Sequence, residues 1–181
     1  ICLSLFACAN NNLMSQDLKD RNSQLTSPQI TEIVIKDVPF DLWERIRVQL
    51  SFKIPENYAP AKEFRKRFIK NQHAVNRISK SGQRYLFYTV KRAEDLGLPI
   101  ELALLPFVES EFEPYARSVG GAIGIWQFIP STGREYGLKT NWWYDGKRDV
   151  IASTEAALSY LSDLSVRFDG DWLLAMAAYN A

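Results

Sequence analysis

Apolar positions recur with a helical period along most of the chain. Between Val150 and Phe168 they fall at 150, 154, 157, 158, 161, 164 and 168, a 3.6-residue repeat sustained over about five turns. Asp149 stands where an N-cap belongs, and Asp169-Gly170 closes the segment. Trp172 to Tyr179 then begins a further helix. Upstream, Ala61 to Ile69, with Phe64 and Phe68 four apart, and Gln83 to Leu96, with Tyr85, Tyr88 or Thr89, Arg92 and Leu96 on one side, predict amphipathic helices with basic outer faces. Gly97 ends the latter, and Pro99 starts an apolar helix running to about Phe112, with a kink expected at Pro106 and a stop at Glu113-Pro114. The first helix is expected near Asp37, with Pro39 in its opening turn and Phe40, Trp43, Ile46 and Leu50 at helical spacing, before Pro55 and Pro60 break the pattern. Strand-like alternation is confined to a weak Ile33-Val34-Ile35, and no repeat is visible. The expected class is all-α, with a helical domain over 99–181 preceded by a small helical segment over 37–98.

Composition agrees with a folded domain. Apolar residues make up 46% of 181 positions, enough for one sizeable core. There are 23 aromatics, which suit either a ligand-lined cleft or an aromatic-rich core. The net charge of +1 conceals an asymmetry: Ala61 to Arg92 carries +9, and everything after it carries −7. Such a basic stretch can pack against acids, stay solvated or meet an anionic surface. Nucleic acid is not expected, since no recognition motif accompanies the charge. His73 lies apart from every motif and no His/Cys ligand set exists, so neither metal nor cofactor is expected.

Residues 1–7 read as the tail of a signal peptide's hydrophobic stretch, and 8–36 as a polar, flexible tether. Leu5-Phe6-Ala7-Cys8 resembles the lipobox of bacterial lipoproteins, which implies cleavage before Cys8 and acylation of it. An ordinary cleaved signal peptide and translation from Met14 are the alternatives. Each buried acyl methylene is worth roughly 0.8 kcal/mol, so two or three chains would anchor the protein to a membrane. Ala9 after the cysteine implies sorting to the outer membrane of a Gram-negative envelope, facing the periplasm. No cysteine follows Cys8, which leaves no intramolecular disulfide in the mature chain.

Glu109 draws the eye chemically. It ends the apolar run Leu102 to Val108, where desolvation would raise its pKa until the neutral acid can protonate a leaving oxygen. In a helix, Glu111 would point away from it and Glu113 would lie on the same side one turn on. Neither can flank a sugar opposite Glu109 as two-carboxylate hydrolysis requires, which leaves Asp145 and Asp149 as distant candidates.

Four motifs in order, Glu109-Ser110-Glu111-Phe112, Ala116-Arg117-Ser118, Gly120 to Phe128, and Ala178-Tyr179-Asn180-Ala181, resemble the lytic transglycosylases with a goose-type-lysozyme-like domain. Leu42 to Arg47, Glu101 to Pro106, Phe128 to Gly133 and Asn141 to Gly146 are similar to the membrane-bound lytic murein transglycosylase D branch, over about residues 37–181. The resemblance implies a lysozyme-like fold and a single catalytic acid/base at Glu109. Such an acid protonates the oxygen between N-acetylmuramic acid and N-acetylglucosamine, then takes the proton of the muramyl 6-hydroxyl, which closes a 1,6-anhydro ring. The substrate's own acetamido group stands in for a second carboxylate. Ser118, Gln127, Tyr179 and Asn180 match the family's substrate-binding positions, each with a plainer reading as a turn, surface, capping or core residue. Trp126 is open between a stacking face and a core residue. The family's domain continues past the last motif, so the chain is expected to be C-terminally incomplete. The expected partners are peptidoglycan glycan strands and, through the lipid anchor, a membrane. The alternatives are a lysozyme-type hydrolase, a non-catalytic peptidoglycan-binding lipoprotein, and an adaptor that uses the basic segment on a membrane surface.

Overall fold

The computed structural model describes residues 41–53 and 58–181. Cys8, the tether, Ile33-Val34-Ile35, the Asp37-Pro39-Phe40 helix start and Pro55 lie outside the described residues, as does the side chain of Phe64. Leu42–Ala181 is one compact unit. Its helices are α1 (Leu42–Gln49), α2 (Ala59–Lys70), α3 (Gln72–Gly82), α4 (Leu86–Asp95), a 3-10 helix (Ile100–Leu104), α5 (Leu105–Glu109), α6 (Pro130–Glu135), α7 (Val150–Arg167) and α8 (Trp172–Tyr179). Among the described residues there is no strand, only the isolated bridges Arg117 to Ile123, Ile123 to Phe128 and Thr140 to Asp145. The class is all-α.

Helix α7 forms as its pattern requires. The Asp149 carboxylate accepts from the amides of Ile151 and Ala152 at 2.9 and 3.0 Å, and Ala157, Leu158, Leu161 and Leu164 are buried. Helix α8 repeats the device, Asp171 accepting from Leu173 and Leu174, and packs on α7. Helix α4 packs on the 3-10 helix and on α7, but with a rotated face: Leu86, Thr89, Val90 and Ala93 go inward, whereas Leu96 is exposed. Arg92 instead donates to Glu155 on α7, which also accepts from Tyr88. Long amphipathic side chains can lie over a core without entering it. The buried cluster runs from Ile46 and Leu86 through Leu102 and Phe112 to Trp126, Leu158 and Leu161.

The continuous kinked helix expected from Pro99 to Phe112 is not what forms. A 3-10 turn comes first, and Pro106 sits in the opening turn of the short α5, where a missing N–H leaves no bond unmade. Helix α5 stops at Glu109, because Glu111 and Phe112 both take positive φ, 54° and 60°. Glu109 and Glu113 therefore do not share a helical face. Helix α3 is an element that the apolar pattern does not predict; Asn71 caps it, its side-chain oxygen accepting from Ala74 at 3.1 Å.

Candidate active site

Glu109 is the last residue of α5, and the turn from Ser110 to Phe112 fixes its orientation. That turn folds back so that Phe112 N–H reaches the Pro106 carbonyl at 3.0 Å, and the Ser110 hydroxyl donates to Ile125 O at 2.9 Å, tying the helix end to the glycine-rich loop. Two consecutive non-glycine residues at positive φ cost about 1–3 kcal/mol each. Burying Phe112, worth about 1.5–3 kcal/mol, offsets part of this. Arg77 supplies more, donating to both carboxylate oxygens of Glu111 at 2.6 and 2.7 Å, and Ser81 donates to the Glu111 carbonyl. The guanidinium holds the Glu111 carboxyl below the usual carboxylate range.

The loop from Ala116 to Phe128 folds into a compact double turn, with Ile123 and Phe128 exchanging both backbone hydrogen bonds at 3.0 Å. Gly124 is required here: at φ 85° a Cβ would lie 1.8 Å from the Lys147 carbonyl oxygen. This close approach seats the loop against the segment leading to α7 and sets Trp126 in the core. Trp126 is fully buried and donates from Nε1 to the Thr154 hydroxyl at 2.9 Å, so its ring is a core residue with no face for a sugar.

Between loop, α5 and α8 lies a cleft of about 450 Å³. It brings together Glu109, Ser118, Gln127, Tyr179 and Asn180, residues from three separate stretches of chain. Among the described residues lining it, Glu109 has the one acidic side chain. Its Oε1 is buried and has no hydrogen-bond partner, and desolvation raises its pKa above the ordinary value. The shift comes from desolvation alone, and no neighbouring cation opposes it.

The surrounding groups have spare capacity. The Ser118 hydroxyl oxygen accepts from Ala122 N–H at 3.0 Å, a local turn bond that leaves its proton to donate. Gln127, at φ 50°, spends one amide hydrogen on Gly124 O at 2.8 Å, which leaves its carbonyl oxygen for a donor. The Asn180 amide donates to Met176 O at the end of α8. Tyr179 donates to the Trp126 carbonyl at 2.7 Å, not to the acid. Burial and then the charge of Glu109 raise its pKa well above the ordinary value, so the phenol stays neutral beside Glu109.

Asp145 and Asp149, the distant carboxylates, are not brought to this cleft. Asp145 pairs with the buried Lys147 at 2.6 Å and accepts from Thr140, and Asp149 caps α7 and accepts from Tyr144. Sequence reasoning missed Tyr160 and Thr132, which also line the cleft. Tyr160 stacks between Tyr136 and Tyr179, at 4.8 and 5.3 Å between ring centroids. Its place three residues after Ala157, beside the α7 core stripe, was the available signal.

The sequence pattern of the Transglycosylase SLT domain family matches residues 88–181, which includes every residue named around the cleft. The chain belongs to the transglycosylase SLT domain family. Over 141 residues it is 45% identical to the membrane-bound lytic murein transglycosylase D of Escherichia coli (strain K12), covering 78% of this chain and 31% of that protein. Over 95 residues it is 36% identical to the peptidoglycan transglycosylase gp16 of Escherichia phage T7, covering 50% of this chain and 7% of that protein. The chain thus spans about a third of the length of the first of these relatives. The lysozyme-like helical architecture of an SLT domain accounts for the arrangement, a single carboxyl at the end of a short helix facing a glycine-rich loop.

Proposed function

We propose that this SLT domain is a lytic transglycosylase of peptidoglycan that cleaves the MurNAc-β-1,4-GlcNAc bond with one carboxyl. The observation that carries the reading is Glu109 alone in the cleft, desolvated and unpaired. In its neutral form it donates a proton to the glycosidic oxygen as the C–O bond breaks. The carboxylate so formed then removes the proton from the muramyl 6-hydroxyl, whose oxygen bonds to the anomeric carbon. The product carries a 1,6-anhydro ring, and Glu109 is returned to its acid form with no water consumed. Ser118 donates to the acetamido group that steadies the cationic centre, while Gln127 and Asn180 bind sugar hydroxyls and amides. Tyr179 holds the loop carbonyl of Trp126 and walls the acid. Two-carboxylate hydrolysis would need a second acid across the sugar, and Asp145 and Asp149 are engaged elsewhere.

Glu109→Gln is expected to lower turnover of purified murein about 10³-fold or more, because general acid and base roles are both removed. Mass spectrometry of the wild-type muropeptides should show anhydro ends; reducing ends would instead establish a hydrolase. A protein with intact murein binding and no products of either kind would be a binding lipoprotein.

The same reading places the domain in the cell envelope, held at the outer membrane by acyl chains on Cys8. The name of the Escherichia coli relative, a membrane-bound transglycosylase, supports it. Metabolic labelling with palmitate should mark the full-length protein and be lost in Cys8→Ser; label retained in that variant would refute the anchor.

A further inference from the structure

Outside the cleft, the segment between α6 and α7 holds two indole rings in solvent. Trp142 and Trp143 are 79% and 78% exposed. Leaving so much aromatic surface in water is unfavourable, and a floppy loop would collapse to hide it. This loop is prevented from doing so. The Asn141 side-chain oxygen accepts from the amides of Trp143 and Tyr144 at 2.9 Å each, and Asn141 N–H donates to the Tyr144 carbonyl at 2.8 Å. Tyr144 is pinned to Asp149 at 2.9 Å. Gly146 lies so close to the Lys139 backbone that a Cβ would approach its carbonyl oxygen to 3.1 Å. The two rings pack on one another, tilted by 34°.

Beside them is a second pocket of about 540 Å³. Tyr115 forms one wall, 72% exposed and with the Arg148 guanidinium 5.6 Å from its ring centroid; Asp149 and Arg148 supply polar groups. The ligand that suits rigid exposed rings flanked by hydroxyl, carboxylate and guanidinium groups is a hydroxyl-rich sugar, its C–H face on an indole and its rim hydrogen-bonded. An anionic lipid surface is disfavoured by the carboxylates of Asp145 and Asp149 in the same pocket. Tyr115 stands only three residues before Ser118 of the cleft, so their Cα atoms are at most about 11 Å apart. A polymeric substrate entering the cleft passes within reach of this pocket.

We propose that Trp142, Trp143 and Tyr115 form a glycan-binding platform, distinct from the Glu109 cleft, that holds the strand while it is cut. This rests on the reading of the domain as a peptidoglycan enzyme. The test uses the full chain in a Glu109→Gln background, so that nothing is turned over, with peptide-free murein glycan strands as the probe. Trp142→Ala with Trp143→Ala should weaken strand binding about tenfold or more, the usual loss on removing anchoring aromatics. The thermal midpoint should not change, because neither ring is buried. Trp142→Phe with Trp143→Phe should recover most of the affinity. Unchanged strand binding in the alanine variant overturns the platform, as does an alanine variant that loses affinity for anionic vesicles instead of glycan. These outcomes are separable from failure of the enzymatic reading, which would show as wild-type protein releasing no anhydro products.

Discussion

At the scale of single residues, function and stability pull against each other at Glu109. A carboxyl left buried without a partner is costly once ionised, and this cost keeps it protonated to higher pH, as the proton donor proposed above requires. Because its pKa in the folded chain is raised, the native state keeps the proton to higher pH than the unfolded chain does. The resulting stabilisation is complete below the unfolded value, about 4.3, and is lost as pH rises through the folded value. Glu109→Gln removes the titration. The thermal midpoint of wild type should therefore fall relative to the Gln variant as pH rises from about 4 towards neutrality, when both are melted across that range. Activity should follow the same group from the other side, its alkaline limb set by loss of the Glu109 proton. A difference in midpoint that does not change with pH would mean that Glu109 is not desolvated in solution.

At the scale of elements, legibility in the sequence depends on how much of an element's fate is decided locally. Helices α7 and α8 can be read almost to the residue, because Asp149 and Asp171 cap them and their apolar positions do not conflict. Helix α4 is predicted with its inward face partly right: Tyr85 and Thr89 pack inward as expected, whereas Arg92 and Leu96 do not. Tyr88 and Arg92 reach Glu155, 67 and 63 residues away in the chain, and only that contact tells which side packs. The stop of α5 at Glu109 is hidden for the same reason. Nothing local announces that Glu111 and Phe112 turn left-handed; the buried Phe112 ring, in edge contact with Phe107 at 4.6 Å, decides it. The cleft residues are legible through their motifs, while the burial of Trp126 and the part played by Tyr160 emerge only with the packing of α7. Helix α2 shows the opposite limit. None of its described side chains is buried, and its main neighbour is α3, so its charge-rich pattern records a solvated face.

At the scale of the whole molecule, the charge asymmetry becomes a device. Part of the basic stretch is spent on the acidic remainder, as Arg92 clasps Glu155 and Arg77 clasps Glu111, and Arg45 upstream of it clasps Glu94. The Arg77 pair differs from the others in what it holds. Arg77 and Ser81 belong to α3, before the stretch that matches the SLT family, yet they fasten the strained turn that follows Glu109. Gly82 completes the clamp, since a Cβ there would meet the Phe107 ring at 2.7 Å. Residues of α3, upstream of the family domain, thus brace the turn after Glu109 without lining the cleft. The Arg77–Glu111 pair is largely exposed, so solvent screens it and its net contribution to folding is small. A small misplacement of a reacting group costs far more in rate than in stability. Arg77→Ala should therefore leave the thermal midpoint within a few degrees of wild type and KM for murein nearly unchanged, while kcat falls about three- to tenfold. Arg77→Lys should recover only part of the loss, because an ammonium cannot reproduce the two-point grip on Glu111. A kcat equal to wild type in the alanine variant would show that Phe112 burial alone sets the turn, and a matching loss of midpoint would show that the pair serves only the fold.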